Sequence, residues 1–191
     1  MQTGYIQGNT MPTIPYIPDV DIAADHVPAD LVAAIRARRA KGNLLNLDRM
    51  LLHSPPIARG WNTFMGAIRS DLDIAPRLRE LAICAVAKLN RAEYEWIQHA
   101  PEFLAAGGTQ AQLDAMLDIE KAPDDSGAFN VLERLVLKLT EEMTRNVAVS
   151  VATLDALRAH LPNREVTEIV CVIASYNMVS RYLVALGIEP E

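Results

Sequence analysis

Apolar positions recur every three to four residues along most of the chain, and few segments alternate with period two. That pattern predicts an all-α protein, a helical bundle, and leaves no source for a sheet. Residues 1–27 carry Pro12, Pro15 and Pro18 with little periodicity, and are expected to form an extended N-terminal arm over a groove or a neighbouring subunit. Residues 28–191 read as a single helical domain. Its first helix opens at Pro28 and runs to about Arg39, with Leu31 and Ile35 on one apolar stripe and Gly42 beyond its end. A short helix follows over about 44–52. In the next segment, 54–72, Ser54 is a candidate N-cap and Pro55 takes a first-turn position that needs no amide hydrogen.

Residues 77–90 are apolar on nearly every side except at Arg79, Glu80 and Lys88. Such a helix belongs at the centre of an all-helical protein or in a subunit contact. Residues 91–108 are helical in composition, with Pro101 expected to kink or divide them because its ring removes a backbone donor. Gly107 and Gly108 end that segment, Thr109 caps 110–119, and 120–127 form a linker. Helices then follow over 128–144, over 151–161 behind Ser150, and from about Arg164 to Leu186, closed by Gly187. The runs 80-ELAICAVA-87 and 168-EIVCVIAS-175 echo each other weakly, as two pseudo-symmetric core helices or two unrelated ones would.

A length of 191 residues suits one domain, and a chain half apolar and 22% charged is globular rather than disordered. The net charge of −6 has the wrong sign for a dedicated nucleic-acid binder. The cluster Arg36, Arg38, Arg39 and Lys41 reads as a solvated helix end, with a carboxylate- or phosphate-contacting patch as the alternative. Cys84 and Cys171 lie inside apolar runs and read as buried free thiols, with no C-x-x-C pair and no Cys/His metal cluster. The N-terminus lacks the features of a secretory signal, and 168–186 is interrupted by Ser, Asn and Arg. A reducing cytoplasm and no membrane span are therefore expected.

Candidate chemistry concentrates between residues 80 and 99. Glu95 and His99, four apart, share a helix face with Cβ atoms roughly 6 Å apart, so the carboxylate can orient the imidazole or share its proton. The same spacing fits a surface ion pair. Tyr94 and Trp96 flank that face and can wall a small pocket. Glu80, a carboxylate in an apolar helix, needs a partner, and His99, Arg79 or a neighbouring subunit can supply it. E-x-x-x-H offers two metal ligands and Glu80 at best a third, so no metal site is expected. His53, beside Ser54, either lines the same cavity or is structural. Asn177 and Arg181, four apart in an apolar helix, line a cavity or knit an interface.

The block 77-RLRELAICAVAKLNRAEYEWIQHAPEFLAAGGTQAQLDAM-116, with 45-LNLDRMLLHSPPIARGWNTFMGAIR-69 before it and 161-LPNREVTEIVCVIASYNMVSRYLVAL-186 after it, resembles the carboxymuconolactone decarboxylase and AhpD-like alkylhydroperoxidase family. The resemblance implies an all-helical fold, homotrimers or hexamers with a dimer also possible, and active sites near subunit contacts. In the peroxidase branch a glutamate precedes a C-x-x-C pair and a histidine. In that frame the glutamate is Glu80 and the histidine is His99, but the cysteine positions hold Ala92 and Glu95. Without sulfur there, thiol-dependent peroxide reduction has no electron carrier, and a peroxidase reading is disfavoured.

The decarboxylase branch, which needs no cysteine pair, implies acid/base chemistry on a small carboxylic acid or lactone without a cofactor. On that reading His99 is the general acid/base, Glu95 fixes its tautomer, and Glu80 is a second acid/base or holds His99 from the other side. Arg49, Arg79 and Arg181 are candidates for engaging the substrate carboxylate. A non-catalytic small-molecule-binding or purely oligomeric helical protein is the alternative.

Overall fold

The structure, a computed structural model, describes residues 12–18, 27–39 and 41–191. These hold nine α-helices and no strand: α1 (Ala29–Arg38), α2 (Asn46–Leu51), α3 (Pro55–Ser70), α4 (Pro76–Asn90), α5 (Glu93–Ala105), α6 (Gln110–Ala115), α7 (Val131–Asn146), α8 (Val151–Arg158) and α9 (Asn163–Leu186). Short 3₁₀ turns at Met116–Asp118 and Ala122–Asp124 lie between α6 and α7. Local signals set the helix starts. The side chains of Thr109, Asn130 and Ser150 accept hydrogen bonds from backbone N–H groups three residues on. Pro76 occupies the first turn of α4. Most of the expected N-terminal arm lies outside the described residues.

The chain divides into two compact units, residues 1–66 with 183–191 and residues 67–182. In the first, Leu31, Ile35, Leu47, Met50 and Trp61 are buried, with Ile17 and Ile188 from near the two ends of the described chain. His53 Nε2 donates to the Pro15 carbonyl at 2.8 Å, Thr13 N to Leu186 O at 3.0 Å, and Glu189 N to the Tyr16 hydroxyl at 2.9 Å. The basic cluster is less solvated than its composition suggests. Arg39 clamps the buried Asp48 at 2.8 and 2.6 Å, Arg38 donates to Asn62 at 2.6 Å, and Arg36 to the Gly42 carbonyl. Asp48, a carboxylate inside an apolar cluster, draws the Arg39 guanidinium away from water, with that of Arg38 3.7 Å off.

In the second unit α4 is central and packs chiefly against α5 and α7. Every residue from Leu81 to Ala87 is buried, so its all-round apolar surface is consumed inside the chain rather than left for a partner. Glu168 accepts from the backbone N–H groups of Asp73 and Ile74, both at 2.8 Å, and from Arg164 at 3.0 Å, tying the turn before α4 to α9. After α4, Arg91 sits at φ +55 and Ala92 N reaches back to Ala87 O at 2.9 Å. That left-handed step closes the helix and folds α5 back along α4 within two residues.

Pro101 does not divide α5, which is continuous from Glu93 to Ala105. The ring lies on the exposed side, where Pro costs one backbone bond without displacing packed neighbours. Cys84 is buried as expected, but Cys171 is exposed. In the echoed segments cysteine follows glutamate by four residues in α4 and by three in α9, a rotation of about 100° that sends the second thiol to another face. By length and composition α9 could cross a membrane, and half of its apolar window is buried inside the protein.

Candidate active site

Glu80 lies within α4 and His99 within α5, and the Arg91–Ala92 turn lets the two meet. Nδ1 of His99 is 2.7 Å from Glu80 Oε2, with the residues 6% and 4% exposed. A carboxylate only accepts, so Nδ1 carries the proton and donates it. Arg79 Nε donates to the other Glu80 oxygen at 3.1 Å. Burial pushes the Glu80 carboxyl up, but the hydrogen bond and field of the His99 ring and the charge of Arg79 outweigh it and hold the group below its ordinary value.

Across the ring, Arg69 Nη2 on α3 lies 3.4 Å from His99 Nε2. A guanidinium only donates, so Nε2 presents its lone pair and the imidazole is neutral with its proton on Nδ1. Burial is the main cause holding its pKa below the ordinary value, Glu80 opposes it, and Arg69 reinforces it. Arg69 Nε also donates to the Tyr176 hydroxyl at 3.0 Å, and the Tyr176 and His99 rings meet edge to face, centroids 4.9 Å apart at 88°. Burial raises the Tyr176 phenol above its ordinary value.

Glu95 does not orient His99. Its Oε2 accepts from Ser180 Oγ on α9 at 2.7 Å, and Oε1 has no hydrogen-bond partner although the residue is only 1% exposed. Burial pushes its carboxyl up to about 8, with Ser180 and Arg69 only partly offsetting it, so Glu95 is a neutral acid at pH 7. An unsatisfied buried polar group costs about 1–3 kcal/mol. The tautomer of His99 is fixed by Glu80 instead, because α4 faces the Nδ1 side of the ring.

The other sequence candidates are dispersed. Tyr94 is buried on α5, and Trp96, one position on from Glu95, faces elsewhere. Lys88 Nζ stands 4.0 Å over its ring, and Trp96 lines an open groove of about 350 Å³ with Ala100, Pro101, Leu104, Leu113 and neighbours. That groove includes none of Glu80, Glu95 and His99. Arg181 Nη1 donates to the carbonyl and the side-chain oxygen of Asn177, both at 2.8 Å. Asn177 also accepts from Asn90 and donates to Thr144, so this pair knits α4, α7 and α9. Arg49 and His53 belong to the first unit, where His53 holds Pro15. Arg69, Tyr176 and Ser180 are the residues sequence reasoning missed. Tyr176 and Ser180, one turn apart in an apolar helix, carried the same kind of signal as Asn177 and Arg181.

Among the described residues no group of three or more His, Cys, Asp or Glu side chains could hold a metal ion. The Cys84 thiol is pushed far up by burial, then by the Glu80 and Glu95 carboxyls, which disfavours its thiolate.

The fold matches solved AhpD-like proteins. One is an uncharacterized peroxidase-related protein from Silicibacter sp. TM1040, with TM-score 0.77 and 18% identity over 96% of each chain. A second, from Ralstonia eutropha JMP134, is described as an alkylhydroperoxidase AhpD core, with TM-score 0.77 and 17% identity over 96% of this chain and 94% of that one. The debrominase Bmp8, as a cysteine-to-alanine variant in complex with 2,3,4-tribromopyrrole, matches with TM-score 0.70 and 14% identity over 97% and 93%. No curated protein matches the chain in sequence. The profile of the carboxymuconolactone decarboxylase family (CMD) matches residues 55–137. The fold is thus an all-helical bundle of the kind these AhpD-like structures share, and within it residues 55–137 match the carboxymuconolactone decarboxylase family, while both cysteines, Cys84 and Cys171, are free.

Proposed function

We propose that the protein is an enzyme of cofactor-independent acid/base chemistry, a decarboxylation or related lyase or isomerase reaction on a small carboxylic acid or lactone. The observation that carries this reading is the state of His99: a neutral imidazole, its Nδ1 proton committed to Glu80 and its Nε2 lone pair turned to Arg69. A base with its tautomer fixed by a carboxylate is prepared to take a proton at one atom and return it. Loss of CO2 or of a proton beside an unsaturated carbonyl leaves a dienolate-like anion, which needs a nearby positive group and then a proton on carbon. Arg69 supplies that charge. On this reading its Nη2 exchanges His99 for an oxygen of the substrate, carboxylate or lactone, which frees the Nε2 lone pair.

A non-catalytic binding or oligomeric role is the second reading, and the burial of Glu80, Glu95 and His99 favours it. A homo-oligomer, trimer or hexamer, remains part of the proposal and fits the solvent-facing line of Cys171, Ala174 and Met178 along α9. The test is a screen of small unsaturated lactones and dienoate acids, read by CO2 release and by change in conjugation. Turnover that falls at least 100-fold in a folded His99→Asn, whose amide keeps the hydrogen bond to Glu80, supports the enzyme reading. Binding without turnover by the intact protein supports the other.

A further inference from the structure

Glu95 has a distinctive hydrogen-bond geometry. Ser180 Oγ lies 2.7 Å from Oε2; with Ser180 donating there, the neutral acid keeps its carbonyl oxygen at Oε2 and carries its proton on Oε1. Oε1 is closed to solvent and meets no acceptor in the protein, so a buried O–H donor stands one helical turn from His99 with nothing to bond. Buried donors are almost always paired.

We propose that Glu95, held by Ser180, is the hydrogen-bond donor for the carbonyl oxygen of a bound small β,γ-unsaturated carbonyl compound. This rests on the acid/base reading above and names the group that meets the substrate oxygen in that site. His99 Nε2 takes a proton from the carbon between the carbonyl and the double bond. The C–H electron pair enters a dienolate whose charge gathers on the carbonyl oxygen, where Glu95 Oε1–H donates. The proton then passes from His99 to the far end of the dienolate, a new C–H bond forms there, and the double bond ends in conjugation. Nothing is oxidised or reduced, and both residues return to their starting states. A neutral acid suits this role because it donates without placing a second negative charge beside the developing one. Because Oε1 is closed off, the ligand enters only with displacement of neighbouring side chains. Ser180 is a positioning residue, acting through Glu95.

The titratable and charged groups whose fields couple Glu95 to its surroundings are Arg69 on α3, Cys84 on α4 and Tyr176 on α9, with Glu80 and His99 beside them. Cys84 and Tyr176 are both shifted upward and His99 downward, so an ionisation near pH 8 belongs to Glu95.

The test uses the full chain with α-angelica lactone, whose isomerisation to the conjugated form is followed by ultraviolet absorbance, and γ-valerolactone as its saturated, unreactive analogue. Infrared spectra should show the C=O stretch of a protonated carboxyl at pH 7, absent from Glu95→Gln, and a lowered carbonyl stretch of bound γ-valerolactone, lost in Glu95→Leu. Isomerisation should fall away above about pH 8. That alkaline limb should move upward in Ser180→Ala, which loses the hydrogen bond favouring the carboxylate, and vanish in Glu95→Gln with at least a 10-fold lower rate. A merely structural Ser180 would leave the limb in place. The proposal is overturned if the carboxyl band is missing at pH 7, if γ-valerolactone does not bind, or if its carbonyl stretch is the same free and bound. A lowered stretch with no isomerisation keeps Glu95 as donor and overturns the role of His99 as base.

Discussion

His99 donates its Nδ1 proton to Glu80 across a 2.7 Å hydrogen bond that joins α5 to α4, with both groups buried. Removing one partner of such a pair strands the other in a medium that solvates it poorly. Glu80→Leu and His99→Ala should each destabilise the fold by about 3–5 kcal/mol, and the double variant by clearly less than their sum. Urea unfolding of the four proteins measures this, and additive losses would mean the two groups are not coupled.

The charge states give stability a defined acid side. His99 is held neutral with its folded value below 6.5, so the unfolded chain binds more protons and stability falls as pH drops below about 6.5. Glu80, whose folded value lies below 4.5, adds a further loss from about pH 4.5 downward. Thermal melts between pH 7 and 4 should show both steps, and His99→Asn should lack the first.

Glu95 acts with the opposite sign. Its folded value of about 8 lies above the ordinary 4.5, so the folded state holds a proton the unfolded chain has released, and stability is lost as pH rises from about 4.5 to 8. At pH 7 the cost is at most roughly 3 kcal/mol. Glu95→Gln should therefore melt close to the intact protein at pH 5 and above it at pH 8, with the gap widening in between.

Much of the fold was legible in the sequence because capping residues and helical periodicity are local. Thr109, Asn130 and Ser150 mark helix starts, and Gly187, at φ +63, marks an end. Pro101 misled because its effect depends on which face it occupies. In the site, Glu80 was recognisable as a carboxylate in need of a partner, and both partners proposed for it within this chain, His99 and Arg79, are the ones it has. Arg69 was not visible, since it lies 30 residues before His99 on another helix and nothing local marks it. Glu95 was misread for the same reason: spacing along α5 points to His99, whereas Ser180 reaches it from 85 residues away.

Two non-glycine residues sit in the left-handed region, Arg91 at φ +55 and Val147 at φ +65. Val147 ends α7 with its side chain 86% exposed, so its branched Cβ strains the backbone without gaining burial. Val147→Gly should stabilise by about 0.5–1 kcal/mol. Gly108→Ala should do the reverse, because its Cβ would lie 2.3 Å from the buried Phe103 ring. Unfolding midpoints of the two variants decide both.

Peroxide chemistry gives an independent check on the missing sulfurs. With no cysteine between Cys84 and Cys171 and Cys84 disfavoured as a thiolate, hydroperoxide turnover with a dithiol reductant should be no faster than in Cys84→Ser, Cys171→Ser. A catalytic rate lost only in that double variant would restore a thiol mechanism.

The central claim is that His99 Nε2 moves the proton while Glu80 only holds the ring. His99→Asn tests it most directly, because the amide N–H can replace Nδ1 as donor to Glu80 while the Nε2 base is gone. Measured as kcat/KM on α-angelica lactone beside a thermal melt, the variant should unfold within a few degrees of the intact protein. It should also lose about 10² to 10⁴ in rate, the range for general acid–base catalysis. Full turnover by a well-folded His99→Asn would contradict the claim and leave His99 as a hydrogen-bonding residue of the core.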